Sequence, residues 1–467
     1  MAPASRKTRS FDGIQMAPDV TARVLRMRTV GHRPLALVLA LALLGVAGCG
    51  KGAPTAQLTG AGPTRKLAPV AAQGAVSLTT RNTTRLGGPS AVDDAAALAR
   101  AVYPGLTAAT RPTAVVLVNE HDWPAALAAA VLASAPTNAP LLYSEGDALP
   151  AVTRETLAAL HPLGAPRLGG AQVIRIDTSA SLPSGYIPHQ LQGGAPASTA
   201  AAIAQLAVSL DGTQAPRQVI ILSEDASQAL AMPAAGLSAE SGAPILLVSP
   251  GRVPAATAAE LVLLHRPSMY VVDAAAVGRH VLHELKHLGP VRLIPSARPP
   301  VGASTGTGAG TGTGTGASAG TGAGAAKAAT PTLAQAAVEN SIEVARFTSG
   351  TFGWGVKEPG HGLVFANVGR PLDGPAAALL SATGEYGPLL LLTSADEVPT
   401  ALVHYLSDIQ PAYAGTQFPA VRGAYNHGWL IGDEGAISAV TQAEIDSMLE
   451  IVARPQSTEE SPAQEAE

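Results

Sequence analysis

The chain has 467 residues, enough for two to four domains, and 47% of them are hydrophobic. Residues 1–48 hold 7 of the 30 Lys and Arg residues and 2 of the 34 Asp and Glu residues, so the remainder carries a formal charge near −9. This acidic balance disfavours nucleic-acid binding, which needs a basic surface. The single cysteine, Cys49, excludes an intrachain disulfide and a cysteine-based metal site.

The N-terminal residues have the layout of a secretion signal. Several arginines precede an apolar core of about 13 residues, 35–47, and small residues lead into Cys49. At 1.5 Å per residue this core is too short to cross about 30 Å of hydrocarbon. Val46-Ala47-Gly48-Cys49 resembles the bacterial lipobox, in which the cysteine is acylated and becomes the new N-terminus.

We therefore expect residues 1–48 to be a cleaved signal peptide and Cys49 to carry a lipid anchor. Translation could begin at Met1, Met16 or Met27, since each start leaves a basic head. The alternatives are a plain signal peptide followed by a chance cysteine, or a buried structural cysteine. Acyl chains contribute about 0.8 kcal/mol per buried CH₂, so two or three of them would hold the protein firmly at the membrane.

Three further segments have compositions that do not support a packed core. Residues 49–78 are rich in Gly, Pro, Ala and Thr and predict a flexible tether. Residues 301–326 are almost pure Gly, Thr, Ala and Ser, which predicts a disordered linker. Residues 455–467 predict a disordered acidic tail.

The rest of the chain contains an internal repeat in three copies, 79–180, 181–300 and 327–454. Each copy alternates apolar runs of four to six residues with Ala-rich stretches of helix length, and each has a proline (Pro150, Pro254 and Pro399) that predicts the start of a helix. Strands without polar alternation are buried on both faces, as in parallel sheets covered by helices. The pattern predicts three tandem small α/β units of open parallel sheet with helices on both faces.

These repeats resemble the cell-wall-binding repeat 2 family of bacterial surface proteins. The resemblance is carried by an opening such as Thr84-Arg-Leu-Gly-Gly88 before an Ala-rich helix, by Ala243-Pro-Ile-Leu-Leu247, and by the closing strand Trp429-Leu-Ile-Gly432. It covers roughly residues 80–453 without the linker, and it rests on three-fold recurrence in order. The Asp-Arg-Tyr of the family is absent after the glycine pairs of the first two copies, and the third copy lacks a Gly-Gly opening.

The resemblance implies a non-catalytic protein that binds cell-wall polysaccharide or another wall polymer non-covalently through its three repeats. With the lipobox it implies a location on the extracytoplasmic face of the cell membrane, attached through the N-terminal lipid. No cofactor and no nucleic-acid partner are expected. The alternative is a protein–protein scaffold or adhesion lipoprotein whose degenerate repeats no longer bind polymer.

Candidate ligand-binding residues follow the predicted strands, because side chains at the carboxyl ends of parallel strands line the crevice of an open α/β sheet. Asp122 and Asp225 follow the first strands of their copies, with 369–373 as the third equivalent segment. Ser144, Ser249 and Thr393 follow the second strands. The competing interpretation is that these residues cap the helices that come next.

Other motifs are weaker. His283-Glu284-Leu-Lys-His287 matches the H-E-x-x-H pattern of zinc proteases, but no third ligand follows before the linker, and the segment coincides with the last amphipathic helix expected in the second copy, 278–288. We therefore expect no metal site and no protease activity. The Gly-Thr-Gly runs at 305–316 lack the following helix and the Lys-Ser/Thr of a phosphate-binding loop. Trp123, Trp354 and Trp429 could stack on sugars, although core packing is the simpler role.

Overall fold

The computed structural model describes residues 78–212, 215–296, 331–382, 386–414 and 425–454. The predicted signal peptide, Cys49, the predicted tether up to residue 77, the predicted linker at 301–326 and the predicted tail from 455 lie outside the described residues. None of the helices in the described ranges is long and apolar enough to cross a bilayer.

The first elements are a short N-terminal segment and a first α/β unit. The segment contains β1 (Leu78–Thr79), β2 (Thr83–Leu86) and α1 (Ala91–Val102). The first unit contains β3 (Val115–Asn119), α2 (Trp123–Ala129), β4 (Leu141–Ser144), α3 (Ala151–Leu160), β5 (Val173–Ile176) and β6 (Pro188–Leu191).

The second unit has the same four strands in the same order, with additional helices. It contains α4 (Pro196–Asp211), β7 (Gln218–Ser223), α5 (Gln228–Ala231), α6 (Pro233–Ser241), β8 (Ile245–Val248), α7 (Ala255–Leu263), β9 (Ser268–Val271), α8 (Ala274–Val277), α9 (Arg279–Leu288) and β10 (Val291–Leu293). Helix α9 confirms the amphipathic helix predicted at 278–288.

The third unit begins after the predicted linker. It contains α10 (Leu333–Arg346), β11 (Gly362–Asn367), α11 (Asp373–Ser381), β12 (Tyr386–Leu392), α12 (Thr400–Asp408), β13 (Ala412–Ala414), β14 (His427–Ile431), α13 (Ala439–Met448) and β15 (Val452–Arg454). Pro150, Pro254 and Pro399 each stand immediately before a helix, α3, α7 and α12, as predicted.

Three sheets share one strand order. Sheet 1 runs β4-β3-β5-β6, sheet 2 runs β8-β7-β9-β10, and sheet 3 runs β12-β11-β14-β2-β1. Every pair in these sheets is parallel except the β1–β2 pair, and a separate parallel pair joins β13 to β15. The predicted α/β class with three parallel-sheet units is confirmed.

Two of the three sheets take their fourth strand from another predicted copy. β6 lies in the predicted second copy but pairs with β5 of the first unit, and β2 lies in the predicted first copy but pairs with β14 of the third unit. β10 lies in the same predicted copy as its partner β9. Sheets 1 and 3 therefore extend across the boundaries predicted for the repeats, and β2 closes the three units into a ring.

Buried strands and closely packed helices account for the many small residues in the sequence. The apolar runs of β3, β7 and β11 are buried along their length, as expected for strands covered on both faces. Helices α6 and α11 pack closely: a side chain on Gly236 would stand 2.9 Å from the Ser381 hydroxyl, and one on Gly374 would stand 3.2 Å from Met232 Cβ. One apolar core extends through all three units, and a second, smaller core lies under α7 and α9.

Candidate functional site

The five candidate ligand residues lie at the carboxyl edges of three different sheets. Asp122 and Ser144 belong to sheet 1, Asp225 and Ser249 to sheet 2, and Thr393 to sheet 3. The structure thus brings together candidates of the same unit only. The three edges differ in shape and charge.

The edge of sheet 1 holds an open cavity of about 450 Å³. Asp122, Asp147 and Asp177 line it, together with polar and small residues that include Asn119, Thr178, Ser179, Gln192 and Thr199. No Lys or Arg is among the described residues that line this cavity. The cavity therefore offers carboxylate, hydroxyl and amide groups to a ligand, with a net negative charge.

Asp122 has a structural role as well as a place in the cavity. Its carboxylate accepts a hydrogen bond from the Ala125 N–H at 3.1 Å and so caps α2, as the competing interpretation predicts. Burial raises the pKa of Asp122 above its ordinary value; the bond from Ala125 opposes the rise and the charge of Asp177 adds to it.

Asp177 and Ser144 hold the lining of the cavity in place through hydrogen bonds. Asp177 has a left-handed backbone (φ 45°), accepts a hydrogen bond from the Gly193 N–H at 2.9 Å and another from the Thr199 hydroxyl, and so ties β5 to the loop before α4. Ser144 is fully buried, and its hydroxyl lies 2.9 Å from that of Thr178. Ser144 can therefore position Thr178 but cannot itself touch a ligand.

The edge of sheet 2 places its candidates differently. The Glu120 N–H bonds to the Ser144 carbonyl and the Glu224 N–H to the Val248 carbonyl, each at 2.9 Å, so these two glutamates are equivalent. Asp225 therefore corresponds to His121 rather than to Asp122, one residue out of register with the equivalence that the sequence predicts. Asp225 is exposed.

Ser249 and Thr393 occupy separate surroundings. Ser249 is half-buried in a short turn, where its carbonyl accepts from the Arg252 N–H at 3.3 Å. Thr393 lines a cavity of about 520 Å³ between the first turns of α10 and α12, where Glu339 and Glu397 supply the charge.

The edge of sheet 3 is filled by a buried ion cluster that the sequence analysis missed. Arg370 pairs with Asp94, with Asp373 at 3.2 Å and with Asp433 at 3.5 Å, and it donates to the Gly88 carbonyl at 3.3 Å. Asp94 and Asp373 are fully buried. The Arg370 N–H bonds to the Asn367 carbonyl just as the Asp122 N–H bonds to Asn119, so Arg370 stands where sheet 1 has Asp122.

The electrostatics of this cluster follow from burial. Burial raises the pKa of Asp94 to about 6, although the Arg370 charge opposes the rise. Burial, joined by the charge of Asp94, holds the pKa of Asp373 well above its ordinary value. Two features of the sequence could have indicated this cluster: the Gly-Arg-Pro-Leu-Asp run at 369–373 and the acidic pair at 93–94. Nothing in the sequence shows that these two segments lie next to each other in the fold.

A second buried cation fixes the N-terminal strand to the third unit. Arg85 on β2 is 1% exposed, and its Nε donates to Gln442 Oε1 at 3.0 Å. Its Nη1 donates to the carbonyls of Gly432 at 3.2 Å and Asp433 at 2.7 Å. The arginine of the Arg-Leu-Gly-Gly opening therefore holds the ring closed and does not face a ligand.

The zinc-protease pattern lies on the exposed face of α9. The His283 and His287 rings are 5.0 Å apart and both residues are exposed. Glu284 accepts a hydrogen bond from the Val253 N–H at 2.9 Å and lies 3.1 Å from His280 Nε2. Across the described ranges, no group of three or more His, Cys, Asp or Glu side chains is arranged to hold a metal ion.

The three tryptophans pack against protein. Trp123 is 5% exposed and belongs to the main core. Trp354 and Trp429 are half-buried against that core. Their surroundings fit the simpler of the two predicted roles.

No protein-family model and no curated protein matches the chain. Two solved structures resemble it: Cwp8 from Clostridium difficile, with a TM-score of 0.55 and 16% identity, and Cwp6 from Clostridium difficile, with a TM-score of 0.54 and 17% identity. Each likeness covers 80% of this chain, which spans about half of the other: 53% of Cwp8 and 51% of Cwp6. The chain shares the fold of these two proteins.

Proposed function

We propose that this chain is a lipid-anchored, extracytoplasmic protein without catalytic activity that binds cell-wall polymer through the cavity of sheet 1. The fold that it shares with Cwp8 and Cwp6 supports a role associated with the cell wall. The observation that carries the proposed site is the contrast between two equivalent edges: Arg370 fills the edge of sheet 3, whereas the edge of sheet 1 keeps about 450 Å³ of open, polar space.

The lining of this cavity defines the ligand chemistry. Carboxylates accept hydrogen bonds from hydroxyl and ammonium groups and repel phosphates and other carboxylates. With Asp122, Asp147 and Asp177 in the lining, the cavity suits a neutral or amino sugar better than an anionic one. This choice agrees with the acidic balance of the predicted mature chain.

Binding to purified cell-wall fractions tests the site. Asp122→Asn keeps a residue that caps helices about equally well but removes the charge, so we expect weaker retention of the mature protein and an unchanged melting temperature. Asp396→Asn, which removes an exposed carboxylate in the third unit, is the matched control. Equal retention of both variants would place polymer binding elsewhere, and no retention of the parent protein would favour the scaffold alternative.

The anchor is tested separately in cells. Cys49→Ser should abolish acylation and shift the protein to the soluble or unprocessed fraction. If the variant is processed and retained in membranes like the parent protein, the lipid anchor is wrong, whatever the wall fractions show.

A further inference from the structure

The exposed face of α9 is almost entirely basic. Arg279, His280, His283, Lys286 and His287 recur at helical spacing and are all exposed, while the apolar side of the helix is buried. The one acid of this helix, Glu284, is occupied by its bonds to the Val253 N–H and to His280. The helix therefore presents cationic and imidazole groups to solvent on an otherwise acidic protein.

Neighbouring elements extend this surface. The Arg266 guanidinium donates to the His287 carbonyl at 3.0 Å at the end of α9, and the chain then turns directly into β10, where Arg292 is exposed. The other two acids within residues 252–296, Glu260 and Asp273, are buried. We call the surface formed by α9, Arg266 and β10 the basic face.

Aliphatic side chains stand out beside these charges. Val262 and Leu263, in the last turn of α7, are 63% and 58% exposed, and Leu293 on β10 is 51% exposed. α7 and β10 both pack against α9. Exposed aliphatic groups bordered by cations are the composition of surfaces that lie on membranes, where the charges meet headgroups and the aliphatic groups enter the interface.

We propose that the basic face docks this protein onto a bilayer surface rich in anionic phospholipid. A hydrated polysaccharide also attracts cations, but it offers no apolar phase to Leu263 and Leu293, and this difference favours the bilayer. The inference rests on the proposed lipid anchor for its location. Leu78 lies 29 positions after Cys49 in the chain, and at about 3.5 Å per extended residue this length reaches up to roughly 100 Å.

Vesicle sedimentation tests the docking without the anchor. The chain from residue 49, carrying Cys49→Ser and no acyl group, is mixed with vesicles of phosphatidylglycerol and phosphatidylcholine or of phosphatidylcholine alone. We expect sedimentation with the anionic vesicles only, weakened by salt. The double variant Lys286→Glu/Arg292→Glu should lower the partition coefficient tenfold or more, since each basic residue near an anionic surface adds appreciably to binding.

Two further double variants test the position of the charges and the role of the aliphatic side chains. Arg154→Glu/Lys357→Glu reverses two exposed cations elsewhere and changes the net charge equally, so it should retain most of the binding. Leu263→Ser/Leu293→Ser should reduce binding several-fold with all charges kept, and melting temperatures check that each variant is folded.

Three outcomes would overturn the proposal. The first is that the protein does not bind anionic vesicles, and the second is that Arg154→Glu/Lys357→Glu weakens vesicle binding as much as Lys286→Glu/Arg292→Glu does. The third is that Lys286→Glu/Arg292→Glu abolishes binding to an anionic wall polymer or to a protein partner but leaves vesicle binding unchanged. None of these depends on acylation in cells or on the Asp122 variant, so failure of the proposed function remains distinguishable.

Discussion

At the scale of single residues, Arg370 joins the N-terminal segment to the third unit through ion pairs. One guanidinium faces the buried carboxyl groups of Asp94 and Asp373 and the half-exposed Asp433. Because burial raises the pKa of Asp94 to about 6, the folded chain takes up a proton between about pH 4 and pH 6 that the unfolded chain does not hold. This contribution to the free energy of unfolding is fully present below about pH 4 and is lost as the pH rises through 6.

Arg370→Met should therefore destabilise the protein more at high pH than at low pH. Removing one partner of a buried ion pair costs about 3 kcal/mol or more, because a charge remains without its partner. At pH 5 the carboxyl groups can be neutral and the loss should be clearly smaller. Denaturant unfolding at pH 7.5 and pH 5 measures both values, with Arg154→Met as an exposed control. An equal loss at the two pH values would contradict the raised pKa.

Glu284 gives a second prediction at this scale. A glutamine can still accept the hydrogen bond from the Val253 N–H, which Glu284 now accepts at 2.9 Å. Glu284→Gln should therefore leave stability nearly unchanged, and the purified parent protein should not contain zinc at one ion per chain. Tightly bound stoichiometric zinc that is lost in His283→Ala would instead support a metal-dependent hydrolase.

At the scale of elements, the turn between β2 and α1 controls how the N-terminal segment meets sheet 3. Gly87 has a φ of 149°, and a side chain there would overlap the Asp94 carboxylate and the backbone of Gly432. Gly87→Ala should cost several kcal/mol, whereas Gly185→Ala, with positive φ but open space around it, should cost about 1 kcal/mol. Thermal melting of the two variants compares them, and similar losses would mean that the close approach does not matter.

The helices and most strands could be predicted from the sequence, but not all of the strands and helices that they pack against. The apolar runs and Ala-rich stretches predicted the buried strands and the helices, because periodicity and burial are local properties of a segment. The strand at Thr83–Leu86 has no apolar run and was expected only from the resemblance of its Arg-Leu-Gly-Gly opening, which does not show that its neighbour is β14, more than 300 residues away. The Arg370 cluster was missed for the same reason, since Asp94 reaches Arg370 only when the N-terminal segment packs against the third unit.

At the scale of the whole molecule, packing between the units stabilises the ring. The Tyr143 hydroxyl of the first unit donates to the Leu372 carbonyl of the third at 2.7 Å. Asn340 of the third unit donates to the Leu230 carbonyl of the second at 2.7 Å. Tyr270 stacks on Phe352 with ring centroids 3.7 Å apart. Helix α2 of the first unit also packs against α4 of the second, so each unit depends on both of the others for packing contacts.

The chain should therefore assemble from two pieces divided at the predicted linker. Residues 49–300 alone leave β2 without β14 and α6 without α11, so this piece should melt lower than the whole protein and bind an apolar dye. Residues 327–467 supply both partners, and the two pieces expressed together should copurify and melt in one transition. Dividing the chain makes the contact between the pieces bimolecular, which costs translational and rotational entropy. Copurification would therefore show that the packed faces alone hold the two pieces together.

A variant of the first piece separates ring closure from helix packing. Arg85→Glu removes the bonds to Gly432, Asp433 and Gln442 and buries a charge of the wrong sign, but it leaves the contact between α6 and α11 in place. We expect the two pieces to bind each other clearly more weakly in this variant, measured by copurification and by the melting temperature of the mixture. If the two pieces without this substitution instead purify separately and melt in two independent transitions that sum to the profile of the intact chain, they are independently folded domains. In that case the strand that the N-terminus supplies to sheet 3 would contribute little to stability.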